Sequence, residues 1–460
     1  MKKINTIFIV FCLIILLIPF AGMAVAPTNE TTENKVLSEF PKLSEERKLN
    51  VDFLNDLGEY FTDHFAFRPQ MVSSNAQIYG KLFGTSTTDQ VLIGKNNWMY
   101  YTETLNDYTG QHLMTERALK NVVHNLALMQ KYVESRGSEF LLVIAPNKNS
   151  IYDENMPYYY RKRTGKNNYE RLMPLLDSAG IHYTDLFTAF AESDEVLYLE
   201  RDSHWTNKGA VLAYNQIMEN TDLDYETYEH IPYEVKKDHM GDLTEMLYPE
   251  NSEPDENEYY QKEWLHSYNN EVTDNMDDWI ETSSPKSDAC LLMYRDSFGE
   301  SILPFLAEEF GNAYFSRLVP YNLLNVDGYQ PDYTVIERTE RRLSSFAEQA
   351  AVMQTSEVQI ESQEKADTET TLNITEDGGY YVISGRLDDV YQKENSEIYV
   401  KLGSRVLESF YISSEMPDGI DDYGYMLYVS KDAVQAEDKT VEVLVSDGSQ
   451  VVSVKTGKIK

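Results

Sequence analysis

The chain has 460 residues, a formal net charge of −36 and 42% hydrophobic residues. So negative a surface repels phosphate backbones, which excludes nucleic acid as a partner, and the apolar content excludes wholesale disorder. The length exceeds one ordinary core and predicts two domains behind a leader.

Lys2 and Lys3 precede an apolar run from Ile4 to Phe20 that continues through Ala21 to Ala26. Residues 1–26 read as a signal peptide or a signal anchor. Ala24-Val25-Ala26 fits a small-x-small cleavage site, and the run also approaches the roughly 20 residues that span a bilayer. Both readings imply export, with the product secreted or anchored to the outer face of the cytoplasmic membrane. Cys12 lies in this leader, and Cys290 sits in the apolar run Ala289-Cys290-Leu291-Leu292-Met293. A processed chain therefore has no intramolecular disulfide, and Cys290 reads as a small buried hydrophobe.

Residues 27–49 form a polar tether. Val51, Leu54, Leu57, Phe61 and Phe65 recur at helical spacing, predicting amphipathic helices before residue 83. Val91 to Tyr101 reads as a hairpin turning at Asn96-Asn97. Thr115 caps a helix over Glu116 to Ser135, and Phe140 to Ala145 is a buried strand. A helix over Tyr169 to Ala179 precedes strands at Ile181 to Leu186 and Val196 to Leu199. Asn207 caps a helix running to about Met218. After a long acidic insertion over 221–288 come a strand (Ala289 to Tyr294), a helix (Glu300 to Phe310) and strands at Ala313 to Val319 and Tyr333 to Ile336. Helices alternating with short apolar strands predict a three-layer α/β/α domain over a mostly parallel sheet, spanning 50–348. A linker over 349–369 leads to a separate, small C-terminal β-sandwich over 370–460, built from runs such as Tyr380-Tyr381-Val382-Ile383 and Thr440-Val441-Glu442-Val443-Leu444-Val445.

Two fragments carry chemistry. In Tyr294-Arg295-Asp296-Ser297-Phe298-Gly299-Glu300 a strand ends and a helix begins. A serine there projects into the crevice at the strand ends, where backbone N–H groups stabilise an oxyanion; helix capping is the competing role. In Asp202-Ser203-His204-Trp205 a carboxylate and an imidazole two residues apart can face one side of a loop, as a base and its orienting group must. Both fragments follow predicted strands, so both reach one sheet edge. Lys148, Arg295 and Trp205 are candidate substrate-binding residues. The sequence carries no P-loop, dinucleotide fingerprint or zinc-spaced Cys/His cluster, so no cofactor or metal is expected.

These motifs resemble, in order, those of the DHHW-type exported proteins of Gram-positive bacteria, and more distantly the alginate O-acetyltransferase group with its permuted SGNH hydrolase-like fold. The resemblance rests on Asp63-His64-Phe65-Ala66-Phe67-Arg68, the Val91-to-Tyr101 hairpin, Val143-Ile144-Ala145-Pro146-Asn147-Lys148, Asp202-Ser203-His204-Trp205, Gly241-Asp242-Leu243 and Arg295-Asp296-Ser297-Phe298-Gly299. Ser203 stands where the name-giving second histidine falls. The resemblance implies a catalytic triad of Ser297, His204 and Asp202, in a chain order permuted relative to ordinary SGNH hydrolases. It also implies an O-acetyltransferase acting on a cell-surface or secreted polysaccharide, with a membrane-bound O-acyltransferase as acyl donor. A carbohydrate esterase with the same triad and a non-catalytic glycan-binding or scaffold protein are the alternatives.

Overall fold

The computed structural model describes residues 2–459 apart from 30–34, 46–47, 251, 363, 367, 417–418 and 436–438. Its centre is a seven-stranded sheet: β1 (Glu139–Ala145), β2 (Tyr183–Thr184), β3 (Ser267–Tyr268), β4 (Trp279–Ser283), β5 (Cys290–Tyr294), β6 (Asn312–Ser316) and β7 (Tyr333–Thr339). The spatial order is β2-β1-β7-β5-β6-β4-β3. The first five run parallel, and β4 and β3 add an antiparallel edge.

Because side chains alternate across a strand, β1 feeds two cores. Leu141, Val143 and Ala145 face one, and Phe140, Leu142 and Ile144 the other. The first core is closed by helices α6 (Asn207–Met218) and α7 (Gly299–Glu309), through residues such as Ala213, Ile217, Ile302 and Leu306. The second is closed by α4 (Glu116–Ser135) and α5 (Asn168–Ala179), through Leu119, Val122, Leu126, Met129, Leu172 and Leu176. The i, i+3/i+4 spacing of the α4 residues makes this stripe one face of a helix. The expected three layers are therefore present.

Local chemistry fixes the ends. Thr115 caps α4 by accepting from the Ala118 N–H at 2.9 Å, and α5 opens with an Asn167/Glu170 capping box. Thr206, one residue earlier than expected, caps α6. The strand expected over Ile181 to Leu186 shrinks to β2, because Asp185 caps a short helix, Leu186–Ala191, by accepting from Thr188 N–H at 3.0 Å. The segment Val196 to Leu199 makes only a single bridge, Tyr198 to Trp205. Upstream, the hairpin Val91–Ile93/Met99–Tyr101 turns through Asn96 and Asn97 at φ 56° and 67°, the left-handed pair of a tight hairpin turn.

At the N-terminus α1 (Lys2–Gly22) contains one apolar stretch long enough to cross a membrane. Helices α2 (Phe53–His64) and α3 (Arg68–Phe83) follow. Of the expected tether, residues 30–34 and 46–47 lie outside the described residues. The described part is fastened to α2: Ser38 N–H and Oγ donate to Asp63 at 3.0 and 2.8 Å, and Lys35 pairs with the same carboxylate.

Three other segments depart from expectation. The acidic stretch 221–288, residue 251 aside, carries β3, β4, a hairpin Tyr233–His239/Asp255–Tyr260 and a short helix Asp242–Leu247. Its first hairpin strand is exposed along most of its length, so it has no apolar alternation to read. The expected linker supplies strands as well. Glu357–Val358 pairs with Arg405–Glu408, and Glu364–Lys365 with Val451–Lys458. The C-terminal sheets, six-stranded and four-stranded, share a core of residues such as Ile398, Val400, Leu427, Val443 and Val454. They are not set apart from the α/β domain: Phe410 and Ile412 join its second core. Helix α4 also offers this region polar side chains. Asn125, fully buried, donates to Phe346 and Tyr411 carbonyls at 2.8 Å each and accepts from Tyr411 N–H at 2.9 Å. Arg117 donates to the Ser396 carbonyl at 2.7 Å. Composition marks a boundary but does not report what docks across it.

Replacing Asn125 with Leu strands three buried backbone groups, each costing about 1–3 kcal/mol when unpaired. Asn125→Leu is expected to lower stability by at least about 2 kcal/mol, read as a lower midpoint in urea denaturation followed by tryptophan fluorescence; an unchanged midpoint counts against this docking role.

Candidate active site

The parallel strands β1, β5 and β7 end on one edge, and each passes directly into a loop of the site. After β5 the chain turns at Arg295-Asp296-Ser297 into α7. Asp296 fixes this turn. One oxygen accepts from Phe298 N–H at 2.9 Å; the other takes the Thr339 N–H at 2.9 Å and hydroxyl at 2.8 Å at the end of β7. Burial raises the Asp296 pKa, but the Arg341 charge and these hydrogen bonds hold it below the ordinary carboxylate value. Gly299 is required because a Cβ there would lie 2.7 Å from Arg295 Cβ.

The second loop follows the Tyr198 bridge. Ser297 Oγ and His204 Nε2 are 2.8 Å apart, and His204 Nδ1 is 2.7 Å from Asp202 Oδ1. The same oxygen accepts the His204 backbone N–H at 2.8 Å, so the carboxylate fixes both loop and ring. Nδ1–H donating to Asp202 leaves Nε2 as the acceptor facing the serine hydroxyl. The three residues therefore form a continuous hydrogen-bonded chain.

Asp202 is 4% exposed and has further partners. Its Oδ2 lies 3.0 Å from His239 Nε2 and accepts the Asp242 N–H at 3.1 Å. Asp242 in turn accepts from Ser203 Oγ at 2.6 Å and Ser203 N–H at 2.8 Å. Burial alone would raise the Asp202 pKa, but the charges and hydrogen bonds of His204 and His239 hold it well below the usual carboxylate range. Burial works to lower the His204 pKa and is outweighed by Asp202 and Asp242, which raise it to about 9. Asp242 moves up, through burial and the neighbouring Asp202 charge.

His239 and Asp242 are the residues that reading the chemistry from sequence misses. Gly241-Asp242-Leu243 marks the place without giving the role, and His239 lies three residues before Asp242 in an acidic stretch. The hairpin carrying His239 docks through Asp255, which accepts Arg201 N–H at 2.6 Å. Gly241 permits the approach: a Cβ there would meet the Arg201 carbonyl at 2.5 Å. Ligand atoms of Asp202, His204 and Asp242 lie within 4.8 Å of one another, the one such group among the described residues. In this arrangement His204 Nδ1 is committed to Asp202.

The three expected substrate-binding residues take other positions. Lys148 is 3% exposed and donates to the carbonyls of Met99, Glu200 and Asp202 at 2.8, 2.7 and 3.0 Å. That uses all three ammonium donors, so it braces the Asp202 loop from behind and does not reach a substrate. Burial, only partly opposed by Asp202 and other carboxylates, lowers its pKa to about 7. Arg295 is 1% exposed and donates to the Asn275 carbonyl, tying the Ser297 turn to the loop before β4. Trp205 borders the cleft but is 2% exposed. Its Nε1 donates to Ser301 Oγ on α7 at 2.7 Å, and its ring meets Phe298 edge-on, so it braces the two loops together. All three were legible as polar or aromatic groups beside the motifs; their burial was not.

In front of Ser297 and His204 lies a cleft of about 560 Å³, walled by Tyr259, Tyr260, Trp264, Met276 and Phe305. A parallel α/β sheet carrying a serine at a strand-to-helix turn, with its histidine and aspartate on a neighbouring loop, is the arrangement of an SGNH hydrolase-like domain. Residues 91–286 match the family model described as "SGNH hydrolase-like domain, acetyltransferase AlgX". The match takes in Asp202 and His204 and ends before Ser297. The chain is 26% identical over 220 residues to the probable alginate O-acetylase AlgJ of Pseudomonas syringae pv. tomato, covering 46% of this chain and 54% of that protein. It thus spans about half the length of the curated relatives it matches. Among solved structures it is similar to a DHHW family protein from Eubacterium siraeum (15% identity, TM-score 0.44, covering 56% of this chain and 93% of the other). PatB1 of Bacillus cereus gives 14% identity and a TM-score of 0.45, covering 56% and 97%.

The Asp202 contact should be visible in solution. His204 is expected to titrate near 9, and Asp202→Asn should bring it down toward 6.5, the ordinary histidine value. NMR titration of the ring carbons checks this; a variant titrating where the wild type does would break the assignment.

Proposed function

We propose that the protein is a serine-dependent O-acyltransferase, and specifically an O-acetyltransferase, acting on a cell-surface or secreted polysaccharide. The observation that carries this reading is the 2.8 Å contact of Ser297 Oγ with His204 Nε2, continued by the 2.7 Å contact to Asp202. The names of the AlgX family model and the AlgJ relatives supply the acetyl group and the polysaccharide.

In this reading Ser297 Oγ attacks the carbonyl carbon of an acyl ester while its proton passes to His204 Nε2. Asp202 holds the ring in the required tautomer and stabilises the imidazolium. Ser297 N–H and Asn275 Nδ2 border the cleft and are among the donors with no hydrogen bond to a described residue. Tyr268 O–H donates to Asn275 Oδ1 at 2.8 Å, which turns the amide so that Nδ2 is the free end. These donors stabilise the developing oxyanion. Collapse expels the donor alcohol, protonated by His204, and leaves an acyl-serine. A sugar hydroxyl then gives its proton to His204, attacks the acyl carbon and releases Ser297.

The N-terminal apolar helix, which fits either a signal or an anchor, supports a reading in which this chemistry lies outside the cell and a membrane-bound O-acyltransferase supplies the acyl group. The C-terminal sheets lie across α4 from the triad and contribute no residue to it. Neutral His204 is the competent base, so with its pKa raised to about 9 turnover rises from neutral to alkaline pH.

Ser297→Ala and His204→Ala are expected to remove turnover of p-nitrophenyl acetate by several orders of magnitude, and Asp202→Asn by somewhat less, since such residues act as a unit. Mass spectrometry should find one acetyl group on Ser297 in the wild type. With an oligosaccharide present, the acetyl group should move to sugar. Turnover that yields only acetate makes the protein an esterase. An absent acyl-serine with every donor leaves a non-catalytic glycan-binding role.

A further inference from the structure

Helix α3 has an apolar side turned away from the rest of the fold. Met71, Ile78 and Leu82, spaced seven and four residues apart, form one stripe along it, and Phe67 precedes them at the N-cap. With α1 in place, Phe67, Met71, Ile78 and Leu82 are 55, 47, 55 and 70% exposed. An aromatic residue at a left-handed φ of 64° is a costly conformation. At Phe67 it leaves the ring half in solvent at the corner between α2 and α3. The opposite side of α3 is engaged with the fold. Ala76 packs with Leu243 and Leu247 of the Asp242–Leu247 helix, and buried Ser73 Oγ accepts the Glu250 N–H at 3.0 Å.

Two observations identify what covers this stripe. The first is charge. Aspartate and glutamate make up 76 of the 460 residues, yet residues 64–88 contain neither, and exposed Lys81 flanks the stripe. The one longer run without a carboxylate is 1–29, which holds α1. Segments stripped of carboxylates in so acidic a chain suit contact with an anionic surface. The second observation is position. Helix α1, which has the stretch long enough to cross a membrane, is fastened to the α2–α3 corner. Ala66 N–H donates to the Pro19 carbonyl at 3.1 Å, and the rings of Phe20 and Phe61 lie 5.3 Å apart. Gly22 packs so closely that a Cβ there would lie 2.8 Å from Ala66 Cβ and 3.9 Å from the Phe67 ring. The exposed stripe thus begins where the membrane-length helix ends. We propose that the outward side of α3 docks on the surface of the lipid bilayer that α1 enters. Its apolar side chains sink to the acyl boundary and Lys81 meets the anionic headgroups. The inner side of α3 rests on the helix whose Asp242 N–H meets Asp202, so this docking sets the attitude of the cleft to the membrane.

The wild-type chain carries its own probe. Met71 and Met416 are equally exposed, at 47% each, and Met416 lies in the C-terminal sheets. The full chain is placed one copy per nanodisc of phosphatidylcholine and phosphatidylglycerol and treated with a water-soluble oxidant, and methionine sulfoxide is followed by mass spectrometry. Met71 should be oxidised at least about fivefold more slowly than Met416. Ile78→Glu combined with Leu82→Glu should bring the two rates together, because both charges would have to enter the acyl boundary. Equal rates in the wild type would overturn the proposal. So would protection of Met71 that survives both Glu substitutions, and so would protection that appears only when two copies share a disc, which would assign the stripe to a second copy of the chain. The wild-type comparison decides the matter even where the variant fails to fold.

Discussion

A carboxylate taken out of water must be met by donors on every side, because an unpaired buried charge is far costlier than any single contact is favourable. Asp202 is that group here. Its oxygens are met by His204 ring and backbone N–H groups, by the Asp242 N–H and by His239. The ammonium of Lys148 holds the carbonyl of the same residue. These donors come from three separate stretches of chain: the loop after β1, the loop around residues 200–204, and the acidic segment with its hairpin and Asp242 helix. Satisfying one buried anion therefore gathers the elements that make the cleft.

The serine side is built by the same logic on a neighbouring strand. Asp296 spends its acceptors on Phe298 and Thr339, locking the turn after β5 to the end of β7. Arg295 ties that turn to the loop before β4, and Trp205 reaches across to Ser301. The His204 ring is held by Asp202, and Ser297 by the turn it sits on. Each is positioned by buried neighbours with little freedom, which is how the hydroxyl and the imidazole come to lie 2.8 Å apart.

The C-terminal sheets lean on the same framework from behind. Helix α4 buries an apolar stripe against the central sheet and presents Arg117, Asn121 and Asn125 to the C-terminal strands. Buried polar groups of this kind demand particular partners, so they specify an orientation as well as adhesion. The β region is thus held at a fixed attitude to the α/β domain and contributes no residue to the cleft before Ser297.

Short-range signals sufficed for much of this. The apolar strand at Phe140 to Ala145, the α4 stripe, the Asn96-Asn97 turn and the Asp-x-His-Trp and Asp-Ser-Phe-Gly fragments are legible because strand period, helix period, turn chemistry and motif spacing are properties of neighbouring residues. The alternation of elements also placed both fragments at one sheet edge. What tertiary structure alone decided were the matters set by residues distant along the chain. Lys148, Arg295 and Trp205 look like ligand-binding groups in sequence; burial turns them into braces, since only packing determines which polar side chain reaches water. The hairpin of the acidic segment carries no apolar alternation, because its exposed strand buries almost nothing, so its delivery of His239 to Asp202 could not be read. The strands within residues 349–369 exist only through partners 48 to 88 residues away. Local sequence states what a segment can form, and the free energy of burying its polar groups decides which partner it forms with.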